Sequence, residues 1–256
     1  MKYWDVFFDN EHAHEPLETK GSIDVSRISD DKAALKTVKE YMSEAVERCL
    51  REPVGEMKYK FVVPGAEYQD LWDWDSFFMC CALPDDKIDY VEGSIRGLLD
   101  ASHSDGMPAK MVKHDGSALV IEQTLPLLAQ FTYIAAKRMD DFRWVDQYWD
   151  KLENIVAYHD THFIKDGFHI WNTWSGIDNN PSLYGQVPNT VAGADLAAWV
   201  HRELKAMEKL SAKLGRGKED FYKEKAAKLK TFIQENYYDY SDKFFYDVLK
   251  NTSREK

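Results

Sequence analysis

The stretch "TLPLLAQFTYIAAKRM", Thr124–Met139, is apolar nearly all round. A helix of that composition has no solvent face and must be covered on both sides. Pro126 fits only in the first turn, where its missing N–H is one of the unpaired donors anyway. Segments on either side repeat the helical period with one apolar stripe each. Leu35, Val38, Met42, Ala45, Val46 and Cys49 share a face in a segment that opens on Asp30–Asp31. "WDWDSFFMCCAL" starts a second helix that stops at Pro84, and residues 86–103 form a third, with Ile88, Val91, Ile95, Leu98 and Leu99 in register. Downstream, residues 141–163 align Phe142, Val145, Trp149, Leu152, Val156 and Phe163. Two further amphipathic segments follow, "DLAAWVHRELKAMEKLSAKLG" with a Gly215 stop and "EDFYKEKAAKLKTFIQENY". The tail "YDYSDKFFYDV" alternates weakly about Ser241–Asp242 and reads as a short hairpin. About seven helices without strand–helix alternation make an all-α protein, with residues 1–30 as an irregular segment ahead of a domain over 31–256.

Long and short connections alternate. "REPVGEMKYKFVVPGAEYQD", "SDGMPAKMVKHDGSALV" and "DGFHIWNTWSGIDNNPSLYGQVP" exceed the usual helix–helix loop, whereas the turns near Asp86, Asp140 and Arg216 are tight. Long loops at every second junction emerge on one end of an array of helix pairs. That end is where a site is expected.

Composition narrows what the site can take. A net charge of −11 with no basic block disfavours nucleic acid and anionic membranes. No apolar run approaches the ~18 residues that span a bilayer. The start lacks the apolar core of a signal peptide, and Cys49, Cys80 and Cys81 read as buried thiols, so a cytoplasmic setting is expected. Eight Trp, 14 Tyr and 13 Phe are unusual chiefly because several Trp sit beside loop acids. Flat apolar rings next to polar groups suit a ligand that is both apolar and hydroxylated.

In "TWSGIDNNP", Thr173–Pro181, Asp178 stands among Gly176, Asn179, Asn180 and Pro181, with Trp171 and Trp174 just upstream. One reading is an Asx-turn whose tryptophans plug the core. The other is a proton donor: desolvation by apolar neighbours raises a carboxyl above the ~3.9 of free Asp and keeps it protonated near neutral pH.

"PGAEYQDLWDWDSFF", "EQTLPLLAQ", "WSGIDNNP" and "ADLAAWVHRELKAMEKLSAKLG" occur in this order, and from about Lys60 onward the chain resembles the (α/α)6-barrel glycoside hydrolases of the trehalase and α-glucosidase I clan. It looks most like their mannosylglycerate/glucosylglycerate hydrolase-like members. The resemblance implies an (α/α)6 toroid, incomplete here at roughly the first half to two thirds of the ring. It implies an inverting glycosidase acting on small α-glycosides, with Asp178 as general acid and a Glu as general base on helices beyond Lys256. The WDxD-type segment maps sugar contacts to Trp72, Trp74 and Asp75, with Tyr68 just before; Gln123, Trp174, Gly176 and Asn179 complete the set. Trp174 and Glu67 depart from the trehalase pattern of Glu and Arg, which argues against trehalose, and "QTLP" replaces the clan's "QPP" at Gln123. The expected partner is a small saccharide or glycoside, and a second chain or a missing C-terminal half would close the ring. Without the base, this chain is expected to be inactive. The competing expectation is a noncatalytic carbohydrate-binding or scaffold remnant. A sugar isomerase on a similar barrel needs paired histidines that the long loops lack.

Other residues carry weaker readings. Asp73 and Asp75 fall where a helix begins and could equally be N-terminal caps. Lys110, Lys113 and His114 read as a solvated charged face, or as a grip on an acidic aglycone such as glycerate. His159 and His162, three apart on one helix with His169 nearby, read as a surface pair; no cofactor or metal is expected. "NTS" at Asn251 is a glycosylation sequon without a secretory context.

Overall fold

A computed structural model describes residues 30–172, 180 and 182–250, and residues 1–29, 173–179, 181 and 251–256 lie outside what it describes. The chain divides into two compact units. Within the described residues the smaller holds helix α1 (Asp31–Glu47) and residues 65–67. Asp30 caps α1 by accepting from the Ala33 N–H at 2.9 Å, as its position implied, but no residue of α1 is buried and Leu35, Val38 and Met42 are exposed.

Among the described residues the larger unit carries six α-helices: α2 (Asp73–Ala82), α3 (Ile88–Ala101), α4 (Leu128–Met139), α5 (Trp149–Phe163), α6 (Ala194–Leu214) and α7 (Glu219–Asn236). Short 3₁₀ turns lead into α3 and α5. The helical architecture agrees with the expectation, but strands occur well beyond the expected tail hairpin. The long connections are folded into small antiparallel sheets. One joins β1 (Leu50–Arg51) to β2 (Phe61–Val62), and another runs β3 (Leu71–Trp72), β4 (Ala109–Val112), β5 (Ala118–Val120). A four-stranded sheet is ordered β11 (Val248–Leu249), β8 (Val191–Ala192), β7 (Phe168–Trp171), β6 (Ile164–Lys165). The tail hairpin is present as β9 (Tyr238–Asp239) paired with β10 (Phe244–Phe245) about the expected turn. These strands are two to four residues long, and β4 is buried at every position, so no period-2 signal betrays them.

The helices α2, α4 and α6 converge on one aromatic cluster. Phe77 of α2 packs edge-on against Phe131 of α4 at 5.5 Å and Trp199 of α6 at 6.1 Å. The loops are pinned to this core by specific groups. Both backbone groups of Val62 in β2 are satisfied by helix hydroxyls: its N–H donates to Ser94 Oγ at 3.0 Å, and its carbonyl accepts from Ser76 Oγ at 2.7 Å. Gly93 of α3 lets this loop lie flat on the helix, because a Cβ there would stand 2.0 Å from the Lys60 carbonyl oxygen.

Helix ends are closed by their neighbours. Arg138 of α4 donates to the Cys80 and Leu83 carbonyls at the end of α2 at 2.8 and 2.6 Å. Lys151 of α5 does the same for Leu99 and Ser102 at the end of α3, at 2.6 and 2.9 Å. Gly215 ends α6 at φ 65°, the left-handed stop expected of it. The helix expected to span Thr124–Met139 starts later, at Leu128, since Thr124–Leu127 is not helical and the chain bends at Pro126. No described helix is long and apolar enough to cross a membrane.

Candidate functional site

The long connections lie before α2, α4 and α6, and the residues singled out from sequence gather there. Trp72 ends β3 opposite Met111 of β4, and the chain turns directly into α2. Trp74 and Asp75 are half-buried in the first turn, with Trp74 edge-on to Phe78 at 5.8 Å. Tyr68, just upstream, is 42% exposed, and its carbonyl accepts from the Arg51 guanidinium at 2.8 Å. Trp72, Trp74, Asp75 and Tyr68 therefore sit at one strand–helix junction.

Asp73 is neither a free acid nor a cap. It is 1% exposed, and its Oδ1 lies 3.1 Å from Lys110 Nζ on β4, which is itself buried. Burial pushes the Asp73 carboxyl up, and the nearby ammonium offsets part of that. Lys110 thus belongs to neither of its expected roles. It is not on a solvated face, and its charge already faces a carboxylate, whereas Lys113 and His114 are exposed, with His114 Nδ1 3.5 Å from Asp70. Lys110 lies within β4, which is buried throughout, whereas Lys113 falls just past its end, a distinction the loop's composition conceals.

Gln123 is 1% exposed and spends its side chain on backbone. Its Nε2 donates to the Ile170 carbonyl at 2.8 Å, and its Oε1 accepts from the Asn172 N–H at 2.8 Å. It therefore bridges the segment after β5 to the outgoing end of β7.

The acid loop departs from that end. Trp171, the last residue of β7, is fully buried, and its indole N–H donates to Asp195 Oδ1 at 2.9 Å. Asp195 also accepts from the Leu196 N–H at 2.6 Å in the first turn of α6. Gly193 makes room for this: a Cβ would fall 2.4 Å from Trp171 Nε1. Of the two readings left open for Trp171, the core plug is the one the ring's burial favours: it is fully buried with its one polar atom already used, so it offers no face to a sugar. Asp178, Trp174, Gly176 and Asn179 lie outside the described residues. At the far end of the loop, Asn180 Oδ1 accepts from the Ser182 N–H at 3.0 Å.

Beside this point opens a cavity of about 510 Å³ whose lining includes Asn180, Ser182, Asp195, Phe244, Tyr246 and Asp247. Burial raises the Asp195 carboxyl, the Trp171 and Leu196 donors oppose that, and the Asp247 charge adds to it. Asp247 Oδ1 accepts the Ala194 N–H at 2.7 Å, completing the start of α6. Phe244 and Tyr246 are exposed at 60% and 47%. Apart from Asn180, which belongs to the acid-loop motif, none of these lining residues was singled out from sequence. Asp195 had a signal, an acid at the head of an amphipathic run; Asp247 had none, being 52 residues away.

The histidines pair differently from the expected arrangement. His159 Nε2 lies 3.1 Å from His169 Nδ1, linking α5 to β7, and burial lowers both imidazoles, His169 to about 4. His162 instead stacks on Tyr158 at 4.0 Å. No three His, Cys, Asp or Glu among the described residues are placed to hold a metal ion.

No protein-family model and no curated protein matches this sequence. Among solved structures, the fold is similar to that of the GH63 mannosylglycerate hydrolase from Thermus thermophilus, crystallised in complex with glucose, at a TM-score of 0.63 and 18% identity. The match takes in 81% of this chain and 66% of that one, so this chain spans slightly less than two thirds of that protein's length. The chain has the helical fold of a glycoside hydrolase.

Proposed function

We propose that the chain forms the acid-bearing portion of an inverting glycosidase for small α-glycosides, with Asp178 as general acid. The reading is carried by the fixed departure point of the acid loop. Trp171, Asn172 and the end of β7 are held by Asp195 and Gln123, and the loop returns at Asn180 beside a large open cavity. A loop anchored this firmly at its start suits a group that must meet a leaving oxygen in one geometry. In this reading Trp72, Trp74, Asp75 and Tyr68 contact the sugar with Trp174, Gly176 and Asn179, and Gln123 positions the loop without touching substrate. Glycoside inversion needs a second carboxylate to activate water. The resemblance puts it on later helices of the ring.

The test is turnover of a small α-glycoside, such as a glucosyl- or mannosyl-glycerate, by the chain joined to a polypeptide supplying the remaining helix pairs. Hydrolysis with inversion that Asp178→Asn abolishes while sugar binding persists is the expected result. Retained turnover in that variant overturns the assignment. A noncatalytic sugar-binding role is the second reading, favoured by the exposed Phe244 and Tyr246 on the cavity wall. It gains if the completed protein binds glycosides and never cleaves them.

A further inference from the structure

Helix α1 of the smaller unit is formed and capped, yet none of its 17 residues is buried. Leu35, Val38 and Met42 are 55%, 47% and 52% exposed, with Tyr41 next to them at 39%. Successive spacings of three and four residues set Leu35, Val38 and Met42 in one line along the helix, the seam that a second helix covers in a two-stranded pair.

The charges of α1 narrow what can cover that line. Residues 31–39 carry Lys32, Lys36 and Lys39 against the single Asp31, whereas residues 40–47 carry Glu40, Glu44 and Glu47 and no cation. The last turn thus holds no basic residue, although the helix dipole favours cations at that end. Lys36 reaches Glu40 at 3.7 Å, but both stay largely exposed and the pair contributes little. A helix of the same sequence laid antiparallel supplies what is lacking. Its basic half and positive dipole end meet the glutamates, and its own apolar line covers Leu35, Val38 and Met42. A surface that complements itself under a two-fold rotation is what a symmetric dimer requires. A parallel copy would set lysines against lysines and glutamates against glutamates.

We propose that α1 joins two copies of this chain as an antiparallel helix pair, sealed by Leu35, Val38 and Met42. The two-fold axis passes between Val38 and Met42, so Val38 of each copy packs on Met42 of the other. One helix pair is small beside the ~800 Å² per partner of a standard interface, so the dimer is weak, with a dissociation constant on the order of 10 μM. The interface does not depend on the glycoside reading.

Sedimentation equilibrium of the 256-residue chain, at concentrations on either side of that value, tests the proposal. Monomer should pass to dimer without larger species, and added salt should weaken the dimer. Leu35→Gln/Met42→Gln replaces two exposed residues with good helix formers and should weaken dimerisation roughly ten-fold with an unchanged circular dichroism spectrum. Lys32→Glu/Lys36→Glu/Lys39→Glu should weaken it by a similar factor, and adding Glu40→Lys/Glu44→Lys/Glu47→Lys should restore it. A chain that stays monomeric throughout overturns the proposal, since the apolar line is then covered by another part of this chain or by a different polypeptide. A dimer indifferent to Leu35→Gln/Met42→Gln uses another surface and overturns it too. So does a dimer that salt strengthens, because like halves would then lie together.

Discussion

Glu203 of α6 accepts the Ala129 N–H of α4 through Oε1 at 2.6 Å. Its Oε2 accepts the neighbouring Gln130 N–H at 3.1 Å. The first turn of α4 has no cap of its own, because Leu127 precedes it and Pro126 lies just upstream. A buried carboxylate on another helix takes that place. Glu203→Ala strands two N–H groups in the core and is expected to lower stability by about 2–3 kcal/mol, read from urea unfolding midpoints.

The same carboxyl has a pH signature. Burial raises it to about 7, against the opposing pull of the two backbone donors. A raised carboxyl contributes stability that is fully present below its unfolded value of 4.5 and is lost as pH rises towards 7. Glu203→Gln removes this component, so the difference in stability between variant and parent should change across that window and level off above it.

The His159–His169 pair acts in the opposite sense. Both imidazoles are depressed below 6.5, chiefly by burial, which disfavours charge on either ring, and with both protonated the two nitrogens are donors and their hydrogen bond is lost. Stability from the pair is present above pH 6.5 and lost as pH falls towards 4. Unfolding free energy should fall by up to about 1.4 kcal/mol per pH unit for each histidine in this range. His159→Gln/His169→Leu should flatten that limb; an unchanged limb would show that protons enter elsewhere.

Lys110 and Asp73 form a buried pair, so single changes should hurt more than the double change. Lys110→Met leaves the Asp73 carboxyl without its counter-charge and is expected to cost about 3–5 kcal/mol. Lys110→Met/Asp73→Asn should recover most of that loss. An additive result in this double-mutant cycle would mean the two charges do not interact.

Trp171→Phe keeps the ring in the core and deletes the donor to Asp195. The expected loss is about 1–3 kcal/mol, with weaker sugar binding because the start of the acid loop is no longer tied to α6. Gly193→Ala should be at least as damaging, since its methyl meets the indole.

How far the sequence reached is set by the range of each interaction. Periodicity found the helices because their stripes are local, and it placed the Gly215 stop correctly. Apart from the tail hairpin it missed the strands, since segments such as Ile164–Lys165 are too short to alternate. It started α4 at Thr124 because nothing nearby announces that the cap is Glu203. At the site, Trp72, Trp74, Asp75 and Tyr68 are close in sequence and fall together in space. Lys110 was misjudged because its partner Asp73 is 37 residues away, and Trp171 because an indole beside an acid looks alike from sequence whether it faces ligand or core.

The long reach of Glu203 has a consequence during synthesis. A nascent chain exposes Ala129 and Gln130 more than 70 residues before their acceptor is made. Until α6 emerges, the beginning of α4 can bond only to water, and burying it early would strand its amides. The pair α3–α4 therefore cannot mature as a separate hairpin on the ribosome, and final packing of this helix waits for Glu203 to be made.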